Sequence, residues 1–234
     1  MSLSNLPPPI RTFLDAFQTS DRDVLAATLL EDAVLSVGDR RYTGRAVLDW
    51  LATTSARPVK LRRTIDATRH LGEVKVTVLT VERGADGHDV DVHHDWHFAV
   101  NAGRVSTVRI EICQLPAVPP VVAAFFRAAN RLDVEGLMAA FVDDALVNDR
   151  LQDYWGRAAI FAWATREIIG ERLALHIVEV IEHHGQVVVA ANVNGDFDRR
   201  GLPDPLVLNF HFSARADRIL QLIILPTRSE IVGG

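Results

Sequence analysis

The sequence is poor in cysteine and lysine and has no long apolar run. Its 234 residues include one cysteine, Cys113, which excludes an intrachain disulfide and any cysteine-rich zinc site. No apolar run approaches the roughly 18–20 residues of a membrane-spanning helix. The first ten residues lack the basic and apolar segments of a secretory signal. We therefore expect a cytoplasmic protein with no membrane partner. Lysine occurs only at Lys60 and Lys75, and the arginine-rich, alanine-rich composition suggests a bacterial origin.

Motifs for nucleotide cofactors and for serine hydrolases are missing as well, since the chain has no Walker loop, GxGxxG or GxSxG sequence. The net charge is −5 without long blocks of like charge, so we expect no nucleic-acid partner. Two aspartates and two histidines alternate along one predicted strand, at Asp91, His93, Asp95 and His97. Alternate residues of a flat strand lie about 6.6–7 Å apart, which disfavours joint binding of one ion. We expect neither a metal nor another cofactor.

The chain carries an internal duplication. A shift of 112 residues aligns positions 13–53 with 125–165 without a gap and gives thirteen identities in 41 pairs, whereas about three are expected by chance. The identical pairs include Asp21/Asp133, Asp32/Asp144, Tyr42/Tyr154 and Gly44/Gly156. The match continues at offsets of 113 and 114 toward the end of each half. Because the period is far longer than the ~20–50 residues of solenoid repeats, each copy is a whole domain.

The duplication predicts two domains, residues 1–114 and 121–234, joined by the linker 115–120. The linker contains three prolines, which disfavour a helix or strand that continues through it.

Within each copy, the apolar spacing changes from helical to strand-like. In the first copy, Ile10–Leu30 has helical spacing, Ala33–Val37 reads as a short strand, and a third helix follows Gly44. Four segments with period-two alternation come next, joined by tight turns such as Asp86-Gly87 and Ala102-Gly103. This order predicts an α+β fold, in which three helices wrap a curved antiparallel sheet to form a cone with a cavity inside. The outer face of the sheet needs a partner, which the second copy could supply.

Several short motifs indicate a family. The second copy contains Ala128-x-Asn130-x-x-Asp133, Phe141-x-Asp143-Asp144-Ala145-x-Val147-x-Asp149 and Gly156-Arg157-x-x-Ile160, and the first contains Glu31-Asp32-Ala33 and Gly44-Arg45-Ala46. These patterns resemble the nuclear-transport-factor-2-like superfamily (the cystatin-like fold), in its SnoaL-like and ketosteroid-isomerase-like branch, twice over nearly the whole chain. The family includes isomerases, cyclases, dehydratases and non-catalytic binding domains. Its members commonly dimerise through the outer sheet face, so the tandem chain resembles a covalent pseudo-dimer with an intramolecular interface. Further oligomerisation is left open.

The resemblance implies a catalytic role for Asp149, since the family's isomerases place a proton-shuttling aspartate at that point of the motif. The other interpretation is a solvated aspartate at a strand end. The family's oxyanion-stabilising tyrosine falls on Phe125 and its strand aspartate falls near Leu208, so neither donor is retained. The first copy has Val37 at the place of Asp149. The isomerase mechanism of the family is therefore not expected, whereas a different proton-transfer reaction is left open.

His94 is the second candidate for catalysis. Strand alternation places it on one face with Val90, Val92, Trp96 and Phe98, toward the helices and the cavity. A histidine in that place can act as an acid, a base or a hydrogen-bond donor to a ligand. The alternative is a core histidine held by one hydrogen bond.

Aromatic side chains are expected to form the walls of the two pockets. We expect ligand contacts from Trp96, Phe98, Phe125, Tyr154 and Phe210, and we place the four tryptophans (Trp50, Trp96, Trp155 and Trp163) in the core or the pocket wall. The predicted partner is a small hydrophobic molecule. If the protein is an enzyme, we expect cofactor-independent acid/base chemistry of the isomerase, cyclase or dehydratase type. The alternative is a non-catalytic ligand-binding or structural module.

Overall fold

The computed structural model describes residues 3–56, 60–83, 88–183, 186–215 and 217–227. It divides into two compact units, Met1–Gln114 and Leu115–Gly234. Among the described helices, none combines the length and the apolar character that crossing a bilayer requires.

The first unit consists of three helices and six strands after a short 3₁₀ turn at Leu3–Asn5. The helices are α1 (Pro8–Thr19), α2 (Arg22–Thr28) and α3 (Arg45–Ala56). The strands are β1 (Leu29–Val37), β2 (Arg40–Thr43), β3 (Lys60–His70), β4 (Glu73–Arg83), β5 (Asp89–Asn101) and β6 (Arg104–Ile112).

The second unit repeats this order. The helices are α4 (Pro120–Arg131), α5 (Val134–Ala139) and α6 (Gly156–Trp163), and α6 continues as a π-helical segment, Ala164–Gly170. The strands are β7 (Phe141–Asp149), β8 (Gln152–Trp155), β9 (Ala174–His183), β10 (Gln186–Asn194), β11 (Val207–Arg215) and β12 (Arg218–Pro226). The bounds of α1, β1 and β2 recur in α4, β7 and β8 at an offset of 112 residues.

Each unit contains one six-stranded sheet, and the two sheets have the same strand order. The orders are β2-β1-β6-β5-β4-β3 and β8-β7-β12-β11-β10-β9. The predicted tandem α+β cone domains are therefore confirmed, with one refinement. The sheets are mixed, because β1 pairs with β6 and β7 pairs with β12 in parallel, while the remaining pairs are antiparallel. The short strands β2 and β8 were also not predicted.

Local sequence explains where the first two helices of each unit begin and end. Both α1 and α4 start with a proline at the first helical position, where the missing N–H costs no hydrogen bond. Asp21 caps α2 by accepting a hydrogen bond from the Val24 amide at 3.1 Å. Asp133 caps α5 in the same way, from Gly136 at 2.9 Å.

The core of each unit lies between its helices and one face of its sheet. In the second unit, aromatic rings from α4, β7 and β11 pack edge to face, with the Phe125 and Phe212 centroids 5.4 Å apart. Asn130 of α4 adds a polar contact, because its amide donates to the Leu175 carbonyl at 2.9 Å and accepts from the Leu175 amide at 2.8 Å. This pair of hydrogen bonds ties α4 to the first residues of β9.

The two units differ in the connection between β4 and β5 and the corresponding connection between β10 and β11. In the first unit, β4 and β5 stay paired as far as Arg83 and Asp89. In the second unit the corresponding strands separate earlier, and residues 195–206 form a loop between β10 and β11. Two glycines and two prolines in this loop oppose a paired strand. It forms one wall of the cavity described next.

Candidate functional site

A cavity of about 650 Å³ lies inside the second unit. Its apolar wall comes from the π-helical segment, the sheet and the 195–206 loop, and the residues are Ile168, Leu173, Val193, Phe197, Leu202, Leu206, Leu208, Phe210, Ile224, Leu225 and Pro226. Its charged lining residues are Asp149, Arg150, Glu167, Glu171, Asp198 and Arg200. An apolar cavity of this volume with a few polar groups is the usual form of a small-molecule site.

Asp149 is the last residue of β7 and lines this cavity with a half-buried side chain. Its Oδ2 accepts a hydrogen bond of 3.0 Å from the indole Nε1 of Trp163, which is fully buried at the end of α6. Among the described residues, Oδ1 has no hydrogen-bond partner. The tryptophan therefore fixes one carboxylate oxygen while the other remains available to a ligand.

The two arginines of the cavity lie at its rim and are already paired. Arg150, with a side chain 80% exposed, lies 3.5 Å from the Glu167 carboxylate. Arg200, 91% exposed, makes a bidentate ion pair with Asp198, with N–O distances of 2.7–3.1 Å. Glu171 and Asp149 have no cationic partner among the described residues. The unpaired charge inside the cavity is therefore negative.

The aromatic residues predicted for this pocket occupy three different positions. Phe210 lines the cavity. Phe125 is fully buried behind it, with the two ring centroids 6.4 Å apart. Tyr154 lies beside Trp163, 6.3 Å between ring centroids, and its hydroxyl accepts a hydrogen bond from Arg166 Nη2 at 3.0 Å. Tyr154 is not a lining residue of the cavity. Trp155 is 66% exposed, so the prediction that Trp155 lies in the core or the pocket wall is wrong.

The candidate site residues of the first unit, Trp96, Phe98 and His94, are buried or half-buried among neighbouring side chains. Trp96 is 2% exposed and meets Phe17 edge to face at 4.9 Å, and Phe98 meets Phe13 at 5.4 Å. The Trp96 indole N–H is buried and has no hydrogen-bond partner among the described residues. His94 is half-buried, with Nε2 3.1 Å from the Glu82 carboxylate.

Burial lowers the pKa of His94 below its ordinary value, and the nearby carboxylates of Glu82 and Asp95 oppose this shift only in part. The histidine is therefore held mainly in its neutral form. Val90, expected on the same inward face, is exposed instead, and it lies one residue from the end of the β4–β5 pairing, next to the connection between the two strands.

In the alternating polar row on the other face of β5, Asp95 and His97 contact side chains of neighbouring strands in the same sheet. Asp95 accepts a hydrogen bond from Thr77 at 2.6 Å and one from Lys75 at 3.4 Å. Burial by itself would raise the pKa of Asp95, but these partners bring it below its ordinary value. His97 lies 3.6 Å from Glu111. Burial raises the pKa of the neighbouring Cys113 thiol to about 12, and Asp95 adds to this effect.

Sequence reasoning missed most of the charged lining. Glu167 lies on the π-helical segment, and Glu171 follows it. A π-helical turn has no sequence signature that a period of 3.6 residues would reveal. The 195–206 loop did carry a signal, since its glycines and prolines predict a break between two strands, but they do not predict that the loop folds over the cavity.

Comparisons with known proteins give similarities to solved structures alone. No protein-family model matches the chain, and no curated protein matches it. The chain is similar to a Sinorhizobium meliloti structure provisionally assigned as a polyketide cyclase, with 26% identity over 46% of this chain and 95% of that one, TM-score 0.42. It is also similar to an M. tuberculosis LEH-like epoxide hydrolase (23% identity, 46% and 81%, TM-score 0.39). A third similar structure is a protein of ketosteroid-isomerase-like fold from Catenulispora acidiphila, solved in complex with trimethylamine (14% identity, 45% and 85%, TM-score 0.40).

Each of these structures corresponds to about half of this chain. The two sheets of identical order, each with its helices on one face, give two tandem copies of one α+β fold. The resemblance noted from the sequence motifs is thus confirmed for the fold.

Proposed function

We propose that this protein binds a small, largely apolar molecule in the cavity of its second unit, and that Asp149 acts there as an acid/base group. The observation that carries the proposal is the Asp149–Trp163 pair at the wall of an apolar cavity of about 650 Å³. A carboxylate with one oxygen fixed and the other directed to bound substrate is suited to accept a proton from carbon and return it.

Chemistry of this kind needs no cofactor. Phe125 and Leu208 provide no hydrogen bond to a developing oxyanion, so the proposed reaction is one in which the substrate itself stabilises the negative charge. Isomerisation, cyclisation and dehydration of activated carbon acids all meet this condition.

The second candidate function is non-catalytic binding, and the duplication supports it. The residues matching Asp149 and Trp163 in the first unit are Val37 and Leu51, an apolar pair. In this function the first unit is a scaffold whose sheet pairs with that of the second unit as an internal pseudo-dimer. The proposed domains are residues 1–114 and 121–234, with the linker between them.

Hydrogen exchange at carbon separates the two functions. We expect the protein in D₂O to accelerate exchange of the acidic CH₂ protons of 2-tetralone, a bicyclic ketone, as followed by NMR. Asp149→Asn should reduce that acceleration by about 10²–10⁴, the usual contribution of a positioned general base. Binding of 2-tetralone with no accelerated exchange would leave the non-catalytic function.

The binding site itself is tested by filling the cavity. Leu208→Trp adds a bulky side chain to the cavity wall and should abolish binding of 2-tetralone, as measured by NMR titration. Leu220→Trp is the matched control, because Leu220 is exposed on the neighbouring strand β12 and does not line the cavity. Equal binding by both variants would place the ligand elsewhere.

A further inference from the structure

The charge distribution of the second-unit cavity indicates what kind of ligand it takes. Four carboxylates and two guanidinium groups line it. Both guanidinium groups lie at the solvent-exposed rim, and each is engaged by a carboxylate there. The remaining two carboxylates belong to Asp149 and Glu171.

Asp149 and Glu171 have half-buried side chains and no cationic partner among the described residues. The one hydrogen bond that Asp149 accepts comes from the neutral indole of Trp163. A partly desolvated carboxylate without a counter-charge is costly, and a cation that binds beside it recovers this cost.

An anionic ligand meets the opposite situation. Both lining arginines are already paired with carboxylates, and the ligand faces Asp149 and Glu171 with like charge. Release of Arg200 from Asp198 leaves a further carboxylate without its partner.

We propose that the ligand of this cavity is an amphipathic organic cation, such as a protonated amine on an apolar body, with Asp149 as its counter-ion. The apolar body contacts Leu208, Phe210 and Ile224, and the ammonium group donates a charge-assisted hydrogen bond to Oδ1 of Asp149. This inference rests on the proposed binding function and specifies its ligand class. It concerns binding alone, because an ammonium group on Oδ1 occupies the oxygen that would take a proton from carbon.

Three probes with one carbon skeleton test the inference on the full chain at neutral pH. They are 4-phenylbutylammonium, 4-phenylbutanol and 4-phenylbutyrate, with dissociation constants measured by calorimetry and the site located by NMR shifts. We expect the ammonium to bind about tenfold or more tightly than the alcohol, since hydrogen bonds between charged groups are roughly twice as strong as neutral ones. The carboxylate should bind most weakly.

Variants identify the counter-ion. Asp149→Asn should bring the ammonium to the affinity of the alcohol while the alcohol itself keeps its affinity. Asp143→Asn is the matched control, because that carboxylate lies on the same strand as Asp149, is 84% exposed beside Arg157 and does not line the cavity, so the preference for the cation should persist. Circular dichroism checks that both variants fold, and if Asp149→Asn does not, the order of the three probes on the unaltered chain still decides.

The outcomes distinguish this inference from the function on which it rests. Equal binding of alcohol and ammonium within the cavity, or tighter binding of the carboxylate, would overturn the cationic ligand and leave the binding function intact. If no probe shifts the cavity residues at millimolar concentration, both fail.

Discussion

The hydrogen bond between Asp149 and Trp163 joins two residues that both differ from their counterparts in the first unit. The first unit has Val37 and Leu51 at these positions, with Leu51 fully buried. A buried indole N–H needs an acceptor, and a half-buried carboxylate needs a donor. Asp149 and Trp163 therefore supply each other's hydrogen-bond partner. Replacing one of them alone leaves the other without that partner.

This coupling is measurable as a double-mutant cycle. Trp163→Phe keeps an aromatic ring but removes the donor, so it should lower the free energy of unfolding by about 1–3 kcal/mol, the range for hydrogen bonds to charged groups. In the background of Asp149→Val the same change should cost much less. Urea unfolding followed by circular dichroism provides the four values. Equal costs in both backgrounds would mean that the 3.0 Å contact contributes no coupling energy.

Asn130 offers a second test at a single residue. Its side chain is buried and makes two hydrogen bonds to the backbone of Leu175. Asn130→Ala should destabilise the protein by about 2–4 kcal/mol, because both backbone groups then lose a partner inside the core. Gln18→Ala is the matched control at the equivalent, exposed position of α1 and should stay within about 0.5 kcal/mol. Similar effects of the two substitutions in urea unfolding would contradict this role.

His94 makes the stability of the protein depend on pH. Its pKa is lower in the folded chain than the ordinary value of 6.5, so the unfolded chain binds the proton first as the pH falls. Stability should therefore decrease as the pH falls below about 6.5, the ordinary histidine pKa. Burial also lowers the pKa of His97, which contributes with the same sign.

His94→Leu, which installs the residue that the second unit has at this place (Leu208), should make this dependence shallower between pH 7 and pH 5. Urea midpoints across that range provide the comparison. A slope unchanged from that of the parent chain would show that His94 does not carry the effect.

At the scale of elements, the 195–206 loop distinguishes the second unit. Its first residue, Gly195, lies against the chain that follows the π-helical segment, and the Asp196 amide donates to the Glu171 carbonyl at 2.8 Å. A Cβ atom at position 195 would lie 2.6 Å from that same carbonyl oxygen and 3.0 Å from the Phe197 ring. The close approach requires glycine, and it positions Phe197 in the cavity wall.

Gly195→Ala should consequently push the loop away and weaken binding of 4-phenylbutanol, and it should destabilise the second unit by about 1–3 kcal/mol, as overpacking does. Gly201→Asn is the matched control in the same loop. Open space surrounds position 201, and asparagine tolerates its positive φ of 77°. Calorimetric titration of both variants measures the effect, and equal affinities would show that the loop does not shape the site.

The elements also show how far the sequence could predict this fold. Helical and strand-like apolar spacing located the helices and the long strands, and the tight turn at Ala102-Gly103 is confirmed by positive φ angles at both residues. The turn at Asp86-Gly87 lies outside the described residues. The parallel pairing of β1 with β6 was missed, because alternation within a strand does not identify its neighbour.

The site was less predictable than the fold. Asp149 and Phe210 line one cavity because a strand end and a strand middle meet in space, and the family motif pointed to Asp149. Glu167 and Glu171 line it only because α6 changes to a π-helical segment, which no spacing reveals. Trp163 was placed in the core or pocket wall, but its bond to Asp149 depends on ring orientation, which sequence does not encode locally.

At the scale of the whole molecule, each unit has one sheet face that its own helices leave uncovered. The alternating residues of β5 on that face are Asp91, His93, Asp95 and His97, and on β11 they are Val207, Asn209, His211 and Ser213. A one-sided α+β layer of about 115 residues is small, and an uncovered sheet face favours association. The tandem chain carries a second sheet with the same strand order.

We therefore expect the separately expressed halves, residues 1–114 and 121–234, to self-associate or to be poorly soluble, while the full chain is not. Mixing the two halves should yield a one-to-one complex, because the linker only raises the effective concentration of one half near the other. Light scattering after size-exclusion chromatography measures all three states. If both halves are soluble monomers and form no complex with each other, the pseudo-dimer is refuted, because each sheet is then stable without a partner.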